Sequence, residues 1–262
     1  MCLVLFAYNT LPGISLLCLA NRDEFWERPT KALEEWESGV LGGRDLESGG
    51  TWLGAKGSNR ISFITNVRNF HLPKKSNPIS RGLLVSSFLD TEVDAKIWWS
   101  KVNQDSYEGF NLFLFEEGKA YLASNATKTF ESLEPGIFTV SNGDWKKPWP
   151  KMERLQVKFE ALLGKDATRI LPEEIQAWEK RFFLLLQDKE RIQEESLLPD
   201  TGIGLEKEKI LSSIRIQSPG YGTRSSAVLT LWENNTMTFT EKTYLSPFSE
   251  DGTEKTFLRA IR

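Results

Sequence analysis

Two apolar runs flanking a turn open this chain, and they constrain its fold more than any other feature. Cys2 to Tyr8 and Ile14 to Ala20 are dense in Leu, Val and Phe, and Asn9-Thr10-Leu11-Pro12-Gly13 divides them. Runs of that length around a Pro-Gly break read as a β-hairpin. A secretory signal needs a basic leader ahead of its apolar stretch, and no Lys or Arg precedes Arg22. With the turn centred near Leu11 or Pro12, Cys2 lies across from a residue between Ala20 and Asp23. Cys18 then faces the middle of the first strand, near Leu5 or Phe6.

The rest of the 262 residues falls into blocks rather than strand–helix alternation. Short strand signals recur at Val40-Leu41-Gly42, Thr51-Trp52-Leu53-Gly54 and Ile61 to Thr65, separated by Gly, Ser and Asn. A helical stretch runs from near Ser80 to about Val102, interrupted at Asp90-Thr91. Strands return at Phe110 to Phe115, Ala120 to Ser124 and Gly136 to Val140. From Pro150 to about Glu195 the period is helical, with Met152, Leu155, Phe159, Leu162 and Leu163 on one face and Ile175, Trp178, Phe182 and Leu185 on the next. Leu197 to Gly204 is a loop, and strands close the chain at Ser225 to Trp232 and Thr236 to Thr240. This order predicts an α+β fold with helices outside largely antiparallel sheets, as one domain over residues 1–262.

Composition narrows the chemistry. The net charge is −3 with no basic stripe, which argues against a nucleic-acid face, and no apolar run has the length of a membrane span. Two cysteines and no basic leader point to a reducing, cytoplasmic setting. There is one histidine, His71. A Ser-His-Asp or Cys-His system would have to use it, and a zinc site would be built almost without His or Cys, so no metal site is expected. The chemistry is to be sought among groups that need no imidazole.

Cys2 is such a group. Its side chain is small enough for the initiator Met to be trimmed, leaving an α-amine beside the thiol. That amine has an ordinary pKa of about 8 and serves as a general base without histidine. An adjacent Arg lowers a thiol pKa, and an Asp orients an amine. The bland alternatives are a buried cysteine acting as a small hydrophobe and a solvated loop at Arg22-Asp23-Glu24. Cys18, in mid-strand, reads as core. Successive strand residues face opposite sides, so which of Asn21, Arg22 and Asp23 addresses Cys2 is left open.

Met1-Cys2 followed by Ala20-Asn21-Arg22-Asp23-Glu24 resembles the NRDE family, which includes the transport and Golgi organisation proteins of animals. Gly50-Thr51-Trp52-Leu53-Gly54, Thr65-Asn66-Val67-Arg68, Ser141-Asn142 with Pro148-Trp149-Pro150-Lys151, and Tyr221-Gly222-Thr223-Arg224-Ser225 match it as well. That family is similar to the N-terminal-nucleophile hydrolases of the penicillin V acylase and bile-salt hydrolase type. The resemblance implies a four-layer αββα sandwich. It implies Cys2 as nucleophile once Met1 is gone, Asp23 holding the α-amine and Arg22 near the thiolate. It implies Asn66 as a side-chain donor to the oxyanion, Asn142 as the asparagine that orients the amine and the scissile carbonyl, and Arg224 as the late arginine of the site. Asn21, Trp52 and Arg68 are expected at the ligand.

Two functions follow. One is hydrolysis or acyl transfer at a small amide C–N bond, with no cofactor required. The other is a carrier of an apolar ligand such as haem or an acyl-coenzyme A, in haem or lipid homeostasis. Nine tryptophans are compatible with an aromatic pocket, and His71 or Cys2 would then ligate haem iron.

Overall fold

The opening hairpin forms, and it becomes the centre of a sheet. In the computed structural model, which describes residues 2–57, 59–164, 169–249 and 251–260, β1 (Cys2–Leu11) and β2 (Ile14–Phe25) pair antiparallel. Gly13 turns the chain at φ 83°, a conformation that glycine takes without strain. Cys2 sits opposite Arg22 and Cys18 opposite Phe6, both within the expected windows. The second strand does not end where its charges begin but runs on to Phe25.

The chain continues through β3 (Thr30–Glu35), β4 (Val40–Asp45), β5 (Leu53–Lys56) and β6 (Arg60–Asn66), then α1 (Gly82–Leu89) and α2 (Ala95–Ser100). Next come β7 (Phe110–Glu116), β8 (Lys119–Ser124), β9 (Thr129–Ser132) and β10 (Gly136–Val140), followed by α3 (Pro150–Leu163), α4 (Ile175–Leu186) and α5 (Leu205–Leu211). β11 (Tyr221–Trp232), β12 (Thr236–Tyr244) and β13 (Gly252–Ala260) complete it. One sheet has six strands in the order β10-β1-β2-β11-β12-β13, and the other has seven in the order β3 to β9. Every ladder is antiparallel.

The unbroken apolar run of β1 has a direct cause, since both of its faces are covered. Val4, Phe6 and Tyr8 point into the core between the two sheets, with Phe63, Phe113 and Leu229 opposite or beside them. Leu3, Leu5 and Ala7 point the other way, against Met152, Leu155 and Phe159 of α3 and Trp178 and Phe182 of α4. On the far side, Leu84, Val85 and Phe88 of α1 and Trp99 of α2 cover Leu112 and Leu114 of β7. Helix, sheet, sheet, helix agrees with the α+β order read from the sequence and with the four-layer sandwich that the family resemblance implies. Each fully buried Leu or Phe contributes roughly 1.5–3 kcal/mol, so the three apolar layers hold the sheets rigid around whatever lies at their ends.

Three strands were not anticipated: β3, β9 and β13. All three are sheet edges, half exposed and polar, and so carry little of the apolar signal by which strands are recognised. The helical block after Pro150 breaks sooner than its periodicity suggests. α3 stops at Leu163 before Gly164 at φ 78°, and α4 stops at Leu186 rather than near Glu195. Residues 165–168 of that block lie outside the described ones, as does Met1. Among the described residues no helix is long and apolar enough to cross a membrane.

Candidate functional site

The site lies at the open end of the hairpin, where β1 begins and β2 runs past it. Directly opposed residues of a ladder share a face, so Arg22 lies on the same side as Cys2, the side that farther along holds Val4, Phe6, Cys18 and Ala20. Asn21 and Asp23 point to the helix side. The question left open by the sequence is settled: of the three, Arg22 addresses the thiol face.

Arg22 is tied across to the other sheet. Its guanidinium lies over the Trp52 ring at 4.1 Å, donates to Thr30 Oγ1 at 3.2 Å and stands 3.7 Å from Asp45. Trp52 reaches this position because β4 passes it with Gly43, where an added Cβ would meet the indole at 2.3 Å. The backbone at Gly50 likewise lies against Gly82, where a Cβ would meet the Gly82 carbonyl carbon at 2.3 Å, so the start of α1 is seated on the Gly-Thr-Trp segment.

Asn66 ends β6 with its side chain half-buried, and among the described residues its amide has no protein partner. Its backbone carbonyl is held by Asn142 Nδ2 at 2.9 Å. Ser141 Oγ in turn donates to the Cys2 carbonyl at 3.2 Å, and lies 3.3 Å from Asn142 Oδ1. Ser141-Asn142 is thus a brace between the start of the first sheet and the end of β6 in the second. Asn142 is 1% exposed and spends its amide on this brace.

Asp23 is fully buried and clamped from β11. Thr223 Oγ1 donates to Asp23 Oδ1 at 2.6 Å, and the Tyr221 hydroxyl donates to the Asp23 carbonyl at 3.0 Å. Thr223 pairs with Asp23 and Ser225 with Arg22, so Arg224 is the extra residue of a β-bulge. Its guanidinium turns to the following loop and donates to the carbonyls of Phe25, Trp26 and Arg28 at 2.8, 2.9 and 3.1 Å. Arg224 therefore shapes the loop beside the site. Asn21 is also committed: its amide donates to the carbonyls of Leu186 and Ile214, both at 2.9 Å, and its oxygen accepts from Ser226.

A cleft of about 1320 Å³ opens over Cys2. Arg22, Trp52, Asn66 and Arg68 line it with the thiol. Arg68 is held by Glu208 and by Thr201 Oγ1 at 2.9 Å, with Trp149 5.0 Å below its guanidinium. Phe25, Phe70, Leu72 and Ile79 leave between 44% and 64% of their surface exposed along the cleft, an apolar rim above a polar floor. Arg81, which the sequence did not single out, also lines it and donates to the Gly109 carbonyl at 3.1 Å. His71 stands apart, exposed on the loop after β6 and 3.1 Å from Asp200.

Burial pushes the Cys2 thiol up from its ordinary value, with Asp23 adding to the shift and Arg22 opposing it. Burial also raises Asp23, against the pull of Lys151. A thiol held neutral needs a base to become a nucleophile, and there is no imidazole in the cleft to supply one. Lys151, Tyr221 and Thr223 are the residues around Asp23 that sequence reasoning did not assign. Tyr221 and Thr223 had a signal in their i, i+2 spacing on one strand face. Lys151 had one too: it stands one turn before Leu155, where the apolar stripe of α3 calls for a hydrophobe.

The sequence profile described as Transport and Golgi organisation 2 matches residues 1–246. The chain is 31% identical to the Transport and Golgi organization protein 2 homolog of Bos taurus and 29% identical to that of Homo sapiens, over 94% of each chain in both cases. It is 26% identical to the Drosophila melanogaster Transport and Golgi organization protein 2, over 95% of each. Among solved structures it is similar to a mutant of conjugated bile acid hydrolase from Clostridium perfringens in which alanine replaces the cysteine at position 2. The TM-score is 0.55 at 9% identity, with 98% of this chain and 92% of that one covered. A second variant of the same hydrolase, altered at an arginine, matches equally at TM-score 0.55 and 9% identity, over 97% of this chain and 92% of that one.

Proposed function

This chain belongs to the Transport and Golgi organisation 2 family, and from that premise we propose that it is a cysteine amidohydrolase or acyltransferase of N-terminal-nucleophile type, acting on a small, partly apolar amide. The observation that carries the reading is the pairing, on one cleft, of the Cys2 thiol with the side-chain amide of Asn66, which no other described residue engages.

With Met1 removed, the α-amine of Cys2 takes the thiol proton and sulfur attacks the amide carbonyl carbon. The carbonyl oxygen becomes an oxyanion, and Asn66 Nδ2 donates to it without competing for the proton. The C–N bond breaks as the ammonium returns the proton to the leaving amine, and a thioester remains. Water then adds with the amine as base, the C–S bond breaks, and the thiol regains its proton; an acceptor amine in place of water gives acyl transfer. Asp23, clamped by Thr223, orients the α-amine, and Arg22 steadies the sulfur as it ionises. The exposed apolar rim takes the acyl chain.

Intact mass and selective alkylation test this. The expected result is a chain lacking Met1, whose Cys2 reacts with iodoacetamide near neutral pH while Cys18 does not. Retained Met1, or a Cys2 no more reactive than Cys18, would sink the enzyme.

The size of the cleft favours one second reading. Single-ligand pockets commonly measure about 300–1,000 Å³, and this one is larger, with an exposed apolar rim. That suits a carrier of an apolar ligand such as haem or an acyl-coenzyme A. A Soret band that survives Cys2→Ala and disappears in His71→Ala supports a haem carrier using histidine, and haem titration without a band removes it.

A further inference from the structure

A polar row interrupts the core between the sheets beside the cleft. On the inner face of the seven-stranded sheet, Phe63, Phe113 and Leu122 stand side by side on β6, β7 and β8. One step along the same face the ladder carries Thr65, Asn111 and Ser124 instead. All three are fully buried, and a buried polar group is costly unless its hydrogen bonds are made. Asn111 directs its amide to the loop after β10. Nδ2 donates to the Gly143 carbonyl at 2.9 Å, to the Ser141 carbonyl at 3.2 Å and to Thr65 Oγ1 at 3.3 Å. Thr65 Oγ1 donates to the same Ser141 carbonyl at 2.6 Å. Among the described residues Asn111 Oδ1 accepts no hydrogen bond, so the side chain is fixed by its donors alone.

The loop held in this way is the brace between Cys2 and Asn66. Ser141 Oγ donates to the Cys2 carbonyl at 3.2 Å, Asn142 Nδ2 donates to the Asn66 carbonyl at 2.9 Å, and the Asn142 carbonyl accepts from the Arg68 amide at 2.7 Å. Hydrogen bonds therefore run without a gap from Asn111 through Ser141 to the backbone of Cys2, and through Asn142 to that of Asn66. Cys2 and Asn66 line the cleft; Asn111 does not. We propose that Asn111 is a positioning residue: by holding Ser141-Asn142-Gly143 in place, it sets where the Asn66 amide stands relative to the Cys2 sulfur. The inference rests on the reading of Cys2 as nucleophile and Asn66 as oxyanion donor. A donor must meet the oxyanion at about 2.7–3.1 Å, and a misplacement of about 1 Å costs on the order of a hundredfold in rate. An aliphatic residue at position 111 leaves the buried carbonyl of Gly143 without this donor and frees the brace to shift.

The test is a double-variant cycle in the full chain, with a fatty acyl p-nitroanilide as substrate and rates expressed per Cys2 that iodoacetamide labels at end point. Asn111→Ala is expected to lower kcat by roughly tenfold or more and to leave KM in place, since the residue touches no ligand. In the Asn66→Ala background the same substitution is expected to cost under about threefold, because the amide it places is gone. Thr65→Val removes the hydroxyl that shares the Ser141 carbonyl and keeps the shape of the side chain. It is expected to give the same pattern with a smaller loss, and it decides the matter where Asn111→Ala does not fold. A purely structural asparagine lowers stability and the labelled fraction, and leaves kcat per labelled site unchanged; that result overturns the proposal. So does a loss of equal size in both backgrounds, or a rise in KM with kcat unchanged. A chain that retains Met1, or that turns over no such amide, fails the reading of Cys2 first and the role of Asn111 with it. An additive loss in an active enzyme fails the role of Asn111 alone.

Discussion

Cys2 and Cys18 stand on the same face of one hairpin, in ladder pairs separated by Leu3, Val4 and Leu5, and they live in different chemistry. Cys18 is opposite Phe6, sealed in the core between the sheets with no exposed surface, and burial alone pushes its thiol far up. Cys2 is opposite Arg22, open to the cleft, and set among Asp23, Glu24 and Arg22. The sealed end is a stack of rings: Phe6 lies 4.6 Å from Phe113, 5.1 Å from Phe138 and 5.6 Å from Phe63. The open end replaces that stack with guanidinium, indole and amide. What the difference teaches is a division of labour along two strands. One end supplies the rigidity, and the other holds polar groups in place at the expense of stability.

Breaking the sealed end gives the largest effect. Phe6→Ala removes a ring with no exposed surface from the centre of the stack. It is expected to destabilise the fold by about 3–5 kcal/mol, measured by urea unfolding, with Cys2→Ala under ~1 kcal/mol by the same measurement. Equal costs at the two positions would dissolve the contrast. At the open end the order inverts. Asn66→Ala deletes an amide that no other described residue uses, so stability is expected to change little. Turnover of a fatty acyl p-nitroanilide is expected to fall by roughly a hundredfold, about 3 kcal/mol of transition-state stabilisation. A loss of stability with turnover unchanged would make Asn66 a structural residue.

The same contrast decides how much was legible in the sequence. Apolar runs report burial, so the opening hairpin followed from Cys2 to Tyr8 and Ile14 to Ala20 and the α+β class from the order of the blocks, while the four layers were implied by the family resemblance. The edge strands β3, β9 and β13 did not follow, because half of each faces water. At the site, the positions in the matching motifs come together: Cys2, Arg22, Trp52, Asn66 and Arg68 do share a cleft. The direction of each side chain was not legible. Asn21 and Arg22 are neighbours, yet one bonds the carbonyls of Leu186 and Ile214 and the other faces Cys2. The difference is set by strand parity, and parity depends on a register that spacing gave only to within two residues. The bulge at Arg224, which sends its guanidinium to the carbonyls of Phe25, Trp26 and Arg28, shifts parity by one and leaves no mark in composition.

Glu179 sharpens the comparison from outside it. Like Asp23 it is a carboxyl buried on the helix side of the six-stranded sheet, held between α4 and β12 with both oxygens 3.1 Å from Thr240 Oγ1. Asp23 has Lys151 in its field; the charged influence on Glu179 is Glu254, another acid. Burial, with Glu254 adding to it, pushes Glu179 up to about 7. A group whose pKa is higher folded than unfolded favours the folded state fully only while it is protonated in both. The stabilisation is present below about pH 4.5 and is lost as the pH climbs through about 7. Glu179→Gln keeps the shape without the charge, so it is expected to match wild type near pH 4 and to be more stable by about 2 kcal/mol at pH 8. Urea unfolding at the two pH values measures it. A variant equally stable at both would show that water or a cation compensates Glu179, and the matched charges behind Cys2 would then no longer set the open end apart.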